Sequence, residues 1–116
     1  MKFLKRSTRR SKRSSMDKVL NAIGLAYKAK KIVLGEEVLN RIDKVRLIFL
    51  ASDISKKSRI RFEKKCHFYS IEHIDSYSGE QLSYALGKNN IKVIGITDTG
   101  FEKMIRENIV KEEKNG

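Results

Sequence analysis

Two stretches of continuous apolar sequence place the strongest limit on the fold of this chain. Residues 46–52 read RLIFLAS and residues 91–97 read IKVIGIT. Short apolar runs without polar alternation are typical of strands that are covered on both faces. Such strands need helices on both sides of their sheet, because a bare face would expose half of each run to water. The sequence therefore predicts a layered α/β protein.

Helical patterns alternate with these strands along the chain. The segments with apolar residues at helical spacing are 17–29, 36–43, 55–66, 78–86 and 98–109, and further strand-like segments are IVL at 32–34 and FYSIEHI at 68–74. The second helix is predicted to be short. This alternation predicts a three-layer α-β-α sandwich around a small, mostly four-stranded mixed sheet.

Short polar residues and one glycine mark the predicted helix boundaries. Ser78 and Gln81 have the spacing of a capping box at the start of the fourth helix. Gly87 follows that helix and can adopt a positive φ without strain, so it is predicted to end it. Asp98 or Thr99 is placed to cap the last helix.

The third helical segment is amphipathic and strongly basic. Ser55 is placed to cap it, and Phe62 and Cys66 lie four residues apart on one face. Its other sides carry six cations, which are Lys56, Lys57, Arg59, Arg61, Lys64 and Lys65.

Positive charge is concentrated at the start of the chain. The formal net charge is +12, from 26 Lys and Arg against 14 Asp and Glu. Residues 1–15 hold seven basic side chains and no acid, so the other 101 residues carry 19 basic and 14 acidic side chains. We therefore predict a basic, flexible N-terminal arm at 1–15 and one domain at 16–116. The charge favours a polyanionic partner, of which nucleic acid is the commonest in the cytosol.

Membrane and export functions have little support in the residues. No apolar run approaches the ~18 residues of a membrane helix, and the first residues lack the apolar block of a signal peptide. An anionic membrane surface is the rival polyanion, but the arm has too few large apolar residues for a lipid-facing stripe. The single cysteine, Cys66, suits a reducing compartment. We expect a cytoplasmic protein without a membrane partner.

Groups with catalytic or metal-binding chemistry are few. His67 and His73 flank the predicted FYSIE strand and would share one of its faces, but Cys66 projects elsewhere and no further donors have suitable spacing. Solvated or locally bonded histidines and a core cysteine are therefore favoured. Asp53 and Asp98 each follow a buried strand. Together they could form a two-carboxylate ligand site, but we favour a role as helix caps.

The chain also lacks the glycine-rich motifs that hold nucleotide phosphates. Without a recognisable base or nucleophile, we predict a noncatalytic protein with no cofactor and no small-molecule substrate. A small-ligand enzyme that uses Asp53 and Asp98 is the least favoured reading.

The segment KKIVLGEEVLNR at 30–41 contains the clearest binding feature. Gly35 opens a short helix that has Glu36 and Glu37 in its first turn, although the chain as a whole is basic. Carboxylates in a first turn complement the helix dipole. On an RNA-binding surface they also accept hydrogen bonds from base edges and so give selectivity. The residues by themselves leave both interpretations open.

Five segments occur in an order that matches one known family. They are GLAYKAKKIVLGEEVLNR, LIFLASDIS, EKKCHFYSI, LSYALGK and VIGITDTGF, and they span about 19–109. In these segments the chain resembles the kink-turn RNA-binding ribosomal-protein family, of the archaeal L-seven-Ae and eukaryotic L-thirty-e type. The resemblance is closest to the bacterial YlxQ-like branch of that family.

The resemblance implies an α-β-α sandwich that grips a sharply bent RNA element, the kink-turn. In the family, a glycine and a basic residue six positions later read tandem sheared G·A pairs, and these match Gly35 and Arg41. The loop after the fourth helix packs against flipped-out bases, and two lysines lie near phosphates. The RNA-binding residues implied in this chain are Lys28, Lys31, Gly35, Glu36, Glu37, Arg41, Gly87, Lys88, Asn89, Asn90 and Ile91.

The chain departs from the family at one pair of positions. The strongest binders have Asn-Glu two and three residues after the glycine, whereas this chain has Glu37 and Val38, and a valine cannot hydrogen-bond a guanine edge. We predict a noncatalytic, ribosome-associated protein that binds structured RNA. The alternative is a protein-interaction or substrate-recognition module of an RNA-processing complex, without strong RNA binding of its own. The RNA-binding interpretation requires the Gly35 turn and the Gly87 segment to lie side by side; the oligomeric state stays open.

Overall fold

A four-stranded mixed sheet with helices on both faces forms the centre of the protein. The computed structural model describes residues 18–115, with side chains as far as residue 111. The elements are α1 (18–28), β1 (Ile32–Leu34), α2 (Glu37–Asn40), β2 (Leu47–Leu50), α3 (Lys56–Tyr69), β3 (His73–Ile74), α4 (Gly79–Leu86), β4 (Val93–Ile96) and α5 (Thr99–Asn115). The predicted three-layer sandwich is confirmed. The predicted arm at 1–15 lies outside the described range.

The strand order is β1-β4-β2-β3, and β4 runs antiparallel to both of its neighbours. Ile94 of β4 pairs with Leu34 on one side and with Phe49 on the other. Consequently the end of β1, the start of β4 and the end of β2 meet at one end of the sheet, which we call the upper end. The opposite end, where β1 and β2 begin, is the lower end.

Side chains of the central strands feed two separate core layers, as expected for strands covered on both faces. Phe49 and Ile94 face α1, α4 and α5, where they pack with Ile23, Leu82 and Ile105. The intervening strand residues face α2 and α3 and belong to a second cluster. That cluster contains Val38, Ile42, Val45, Ile48, Leu50, Phe62, Cys66 and Val93. Each fully buried aliphatic or aromatic side chain contributes about 1.5–3 kcal/mol.

A glycine in β4 allows α2 to pack directly against the sheet. A Cβ atom at Gly95 would lie 3.0 Å from a methyl of Val33, 3.2 Å from one of Val45 and 3.3 Å from one of Val38. Because any side chain at this position would push the valines away, Gly95 determines how closely α2 approaches β1 and β4.

The predicted helix boundaries agree with the structure at four points. Ser78 and Gln81 form a reciprocal capping box, and Gly87 ends α4 in the left-handed conformation at φ +68°. The Ser55 hydroxyl accepts a hydrogen bond from the Ser58 N–H at 3.3 Å. At the start of α5, the Asp98 carboxylate accepts one from the Phe101 N–H at 2.9 Å.

The prediction of a strand over FYSIEHI was wrong for most of its length. Helix α3 continues through Tyr69 and ends at Ser70, which has φ +56°. Only His73–Ile74 is a strand, parallel to β2. The aromatic and β-branched residues of this segment favoured a strand by local propensity, but the helix that keeps Cys66 in the core continues for three more residues. The second helix is also short, ending at Asn40 before a 3₁₀ turn at Ile42–Lys44.

The expectation that His67 and His73 share one face of a strand was wrong for the same reason. His67 lies on α3 and His73 on β3, so the two do not share one face of an extended segment. Over the described range, none of the helices is both long and apolar enough to span a bilayer.

Candidate nucleic-acid interface

The turn at Gly35 meets the end of the loop after α4, at Asn90, at the upper end. Gly35 has φ +55°, and its N–H donates to the carbonyl of Val93, the first residue of β4. Asn90 and Lys92, which lead into β4, line one open concavity of about 360 Å³ together with Gly35 and Glu36. Antiparallel pairing of β1 with β4 is the cause, because it places the exit from one strand beside the entry to the other.

Glu36 is held by an arginine of α3. Both of its carboxylate oxygens accept hydrogen bonds from the guanidinium of Arg61, one of them at 3.0 Å. These charge-assisted bonds lower the pKa of Glu36 and raise that of Arg61. The pair joins α3 to the upper end, although both side chains remain exposed to solvent.

Glu37 pairs within its own short helix. The Nε of Arg41 donates to Glu37 Oε2 at 3.3 Å, and the amide of Asn40 donates to Oε1 at 3.2 Å. Helix α2 has only four residues, so it sums few peptide dipoles. Partner side chains, rather than a helix dipole, therefore orient both carboxylates.

A groove along the edge strand β1 carries Arg41. Its lining includes Tyr27, Lys30, Glu37 and Lys44 beside the residues of β1. The ammonium of Lys88, from the loop after α4, lies 5.6 Å from the centre of the Tyr27 ring, within cation–π range. The tyrosine therefore links the groove to the loop, and basic groups approach it from both sides.

Ser83 anchors the loop after α4, a role that was not predicted from the sequence. Its hydroxyl accepts from the Ile91 N–H at 2.9 Å, and its carbonyl accepts from the Lys88 N–H at 2.9 Å. One buried residue thus fixes both ends of the 88–91 segment. The available signal was a serine on the apolar face of α4, beside Leu82 and before Leu86.

Two of the lysines implied by the resemblance lie away from the upper end. Lys31 precedes β1 at the lower end, where its carbonyl accepts from both the N–H and the hydroxyl of Thr97. Lys28 lines a groove between α1 and α4 beside Leu25 and Tyr84. The structure therefore groups Gly35, Glu36 and Asn90 most closely, places Arg41 and Lys88 around Tyr27, and sets Lys31 apart.

Val38 is a core residue. It stands at one of the two positions where the strongest binders of the family have Asn-Glu. It is fully buried and packs in the cluster with Ile42 and Phe62. Its side chain is not available to a ligand.

The two aspartates that follow buried strands serve different helix starts. Asp53 accepts from the Gly79 N–H at 2.7 Å and from the Lys92 ammonium at 2.8 Å. The bond from Lys92, assisted by that from Gly79, lowers the pKa of Asp53 to about 2. The predicted role of Asp53 as a helix cap holds at α4 and not at α3, since Ser55 caps α3 and Asp53 reaches across to the first N–H of α4.

The thiol and the metal-binding groups have no assembled site in the described residues. Burial, with a smaller effect of the nearby Glu63 charge, raises the pKa of Cys66 to about 11, so the thiolate is disfavoured. Within residues 18–115, no three His, Cys, Asp or Glu side chains are grouped so as to hold a metal ion.

Comparison with known proteins identifies two curated relatives. The RNA-binding protein YlxQ of Enterococcus faecium is 34% identical over 93 residues, which are 78% of this chain and 89% of that protein. The RNA-binding protein YlxQ of Bacillus subtilis strain 168 is 30% identical over 82 residues, which are 68% of this chain and 82% of that protein. No protein-family model matches the chain.

Solved structures show the same fold. A protein of unknown function from Bacillus halodurans superposes with a TM-score of 0.74 at 32% identity, over 79% of this chain and 96% of its own. The Giardia lamblia 15.5kD RNA binding protein superposes with a TM-score of 0.68 at 18% identity, over 87% and 89% of the two chains. At that identity the second likeness concerns the fold alone.

Proposed function

Because the chain belongs to the bacterial YlxQ branch of the kink-turn RNA-binding ribosomal-protein family, we propose that it binds structured RNA without catalysing a reaction. The target is a kink-turn, and the protein acts in association with the ribosome. The interface comprises the Gly35 turn, the start of α2 and the loop 87–91.

The observation that supports this proposal is the meeting of the Gly35 turn and the Asn90 loop in one open concavity at the upper end. A glycine at positive φ has no side chain to keep a base edge from the backbone, and the exposed amides of Asn89 and Asn90 offer both donors and acceptors. Lys88 stands on the same loop and attracts phosphate, whereas Lys92, which follows the loop, is paired with Asp53.

The ion pairs at the site can be exchanged for RNA contacts at small cost. Arg41 and Glu37 are both largely exposed, and an exposed pair of this kind contributes only about 0–1 kcal/mol. A guanidinium released from Glu37 presents a planar fork of donors that matches guanine or phosphate. The freed carboxylate then accepts from base amino groups.

Arg41→Ala tests the role of this arginine. We expect it to weaken binding to a synthetic RNA that contains one kink-turn by ~1–3 kcal/mol, the scale of a specific polar base contact. The comparison RNA has its sheared G·A pairs replaced by Watson–Crick pairs, and we expect the wild-type protein to prefer the kink-turn. Affinities are measured by fluorescence anisotropy at fixed salt.

Arg46→Ala is the matched control. Arg46 also donates from Nε to a carboxylate at 3.3 Å, in this case Glu102, but it lies at the lower end. We expect its replacement to leave the affinity nearly unchanged. If both variants lost the same binding affinity, the effect would be one of general charge. If Arg41→Ala lost the same affinity for both RNAs, Arg41 would contact only phosphate. Equal wild-type affinity for both RNAs would contradict kink-turn recognition.

The basic arm is proposed to add phosphate contacts without sequence preference. Deletion of residues 1–15 removes seven cations. We therefore expect a shallower dependence of log affinity on log salt concentration, with the preference between the two RNAs retained. A slope equal to that of the full chain would exclude the arm from the interface.

An exposed aromatic pair favours the alternative function, a protein-interaction module of an RNA-processing complex. Phe68 is 75% exposed, and its ring meets Tyr69 edge to face with centres 5.0 Å apart at the end of α3. Aromatic residues are enriched at protein interfaces. Crosslinking in cells distinguishes the two functions, because RNA fragments would dominate for one and a single protein for the other.

A further inference from the structure

Helix α3 accounts for the positive charge of the domain. Residues 16–116 carry nineteen basic and fourteen acidic side chains, and residues 56–69 alone carry six basic and one acidic. The rest of 16–116 is therefore balanced, with thirteen of each sign. The basic character of the folded chain resides in one helix and is not spread over the surface.

The cations of α3 divide into paired arginines and lysines with no ion pair to any described residue. Arg59 binds Asp75 at 2.9 Å and Arg61 binds Glu36. The ion pairs of the described residues include none of the four α3 lysines, all of which are exposed. These lysines are Lys56, Lys57, Lys64 and Lys65.

Three of these cations form a stripe on the outward face of α3. Lys57, Arg61 and Lys64 are spaced four and three residues apart, which places them on one side of a helix. Phe62 and Cys66 occupy the opposite side and are buried in the core. Lys57 and Lys64 are separated by about 10 Å along the helix axis, at 1.5 Å per residue.

Such a stripe is unfavourable for the free protein. Like charges one helical turn apart repel each other; Glu36 offsets the charge of Arg61, but Lys57 and Lys64 have no ion pair within the described residues. A surface that serves only solubility intersperses both signs instead. A polyanion laid along the stripe would remove this repulsion, since each phosphate neutralises one lysine.

The stripe begins at the proposed RNA site. Arg61 reaches Glu36 at the Gly35 turn, and Arg61 together with Ser55 and Ser58 of the α3 start lines the concavity that contains Asn90. An RNA helix that leaves the upper end on this side therefore passes along α3.

We propose that the outward face of α3 is a second RNA-contacting surface, which binds the sugar–phosphate backbone of a helix that flanks the RNA element held at the upper end. This inference rests on the proposed function and extends it from one bent element to its flank. RNA fits better than a lipid surface because the stripe presents cations, whereas Phe62 and Cys66 on the opposite side of α3 are packed in the core and cannot enter a bilayer.

The test compares two double variants with the same net charge. One is Lys57→Gln with Lys64→Gln, on the stripe. The control is Lys103→Gln with Lys111→Gln on α5, which packs against the other face of the sheet through Ile105. Glutamine keeps the helix propensity close to that of lysine, and unchanged circular-dichroism melting curves verify folding.

Binding is measured from low to moderate salt with the synthetic kink-turn RNA, extended by a full helical turn on one arm or the other. The measured quantity is the slope of log affinity against log salt concentration. For one of the two extended RNAs, we expect this slope to be shallower in the stripe variant than in wild type by roughly 1.4–1.8, because two phosphate contacts are lost. The α5 control is expected to keep the wild-type slope. With an RNA trimmed close to the kink, the stripe variant should match wild type.

Equal slopes for both double variants on both extended RNAs would overturn the inference. Failure of the proposed function has a different signature, namely equal wild-type affinity for the kink-turn RNA and its Watson–Crick counterpart. A slope change specific to the stripe would still support α3 as a backbone-binding surface in that case. A wild-type protein that binds none of these RNAs contradicts both proposals.

Discussion

Replacing Ser83 with alanine tests what holds the loop at the proposed RNA site. Ser83 is only 8% exposed, and its hydroxyl accepts from the Ile91 N–H at 2.9 Å. Ser83→Ala removes that bond but leaves the bond from the Lys88 N–H to the Ser83 carbonyl. The loop therefore keeps its connection to the end of α4 and loses its anchor just before β4.

The expected loss of stability follows from the surroundings of Ile91. A buried donor that loses its partner costs about 1–3 kcal/mol. Ile91 is half-buried, so water can replace part of the bond and the cost falls in the lower part of that range. Alanine also has a higher helix propensity than serine, which returns a few tenths of a kcal/mol. We expect the free energy of unfolding to fall by about 1 kcal/mol, and Tm to fall by roughly 4–8 °C.

Two measurements check this expectation. Urea unfolding followed by circular dichroism gives the free energy, and native-state hydrogen exchange reports the Ile91 amide directly. Ser76→Ala, at an exposed serine before α4, is the control and should change stability by less than ~0.5 kcal/mol. If the Ile91 amide exchanges at the wild-type rate in Ser83→Ala, the hydroxyl does not anchor the loop and the reasoning is refuted.

Three further substitutions probe the scaffold. Gly24→Ala would place a Cβ atom 2.8 Å from the Ala85 carbonyl oxygen. We expect this overpacking to lower the free energy of unfolding by about 1–3 kcal/mol, partly offset by ~1 kcal/mol from the higher helix propensity of alanine. A higher free energy of unfolding in urea would contradict this. At Gly87, which has φ +68°, an added Cβ atom would have no neighbour within 4 Å. Gly87→Ala should therefore lower the free energy of unfolding in urea only by the cost of a left-handed alanine, ~1–2 kcal/mol. The Lys92 bond lowers the pKa of Asp53 from 3.8 to about 2, so its stabilisation is present above pH 3.8 and lost as the pH falls toward 2. Asp53→Asn should flatten the decrease in unfolding free energy over that interval, and an unchanged pH profile would count against the pairing.

The layers of the fold could be predicted because their signals are local. The apolar runs that became β2 and β4 require cover on both faces wherever they lie, and the capping box at Ser78 satisfies its own helix start. Prediction failed where two local signals competed. Phe68 and Tyr69 have high strand propensity, but α3 extends through both because Cys66, one turn before its end, packs in the core.

The candidate site was predicted in its parts but not in its connections. The importance of Gly35, Arg41 and the loop after α4 came from the resemblance to a family. Neither the bond from the Ile91 N–H to Ser83 nor the role of Asp53 at the start of α4 has a sequence pattern, because each joins residues whose approach depends on the packing of other elements.

By itself, the sequence determined the alternation of helices and strands, the double burial of the central strands and the accumulation of positive charge in α3. Each follows from the order of side chains within one segment. Only the tertiary structure decided that β4 enters the sheet between β1 and β2, which brings Asn90 beside Gly35, and that Arg61 reaches Glu36 across 25 positions of sequence. Such contacts depend on strand order and register, which are properties of the whole core.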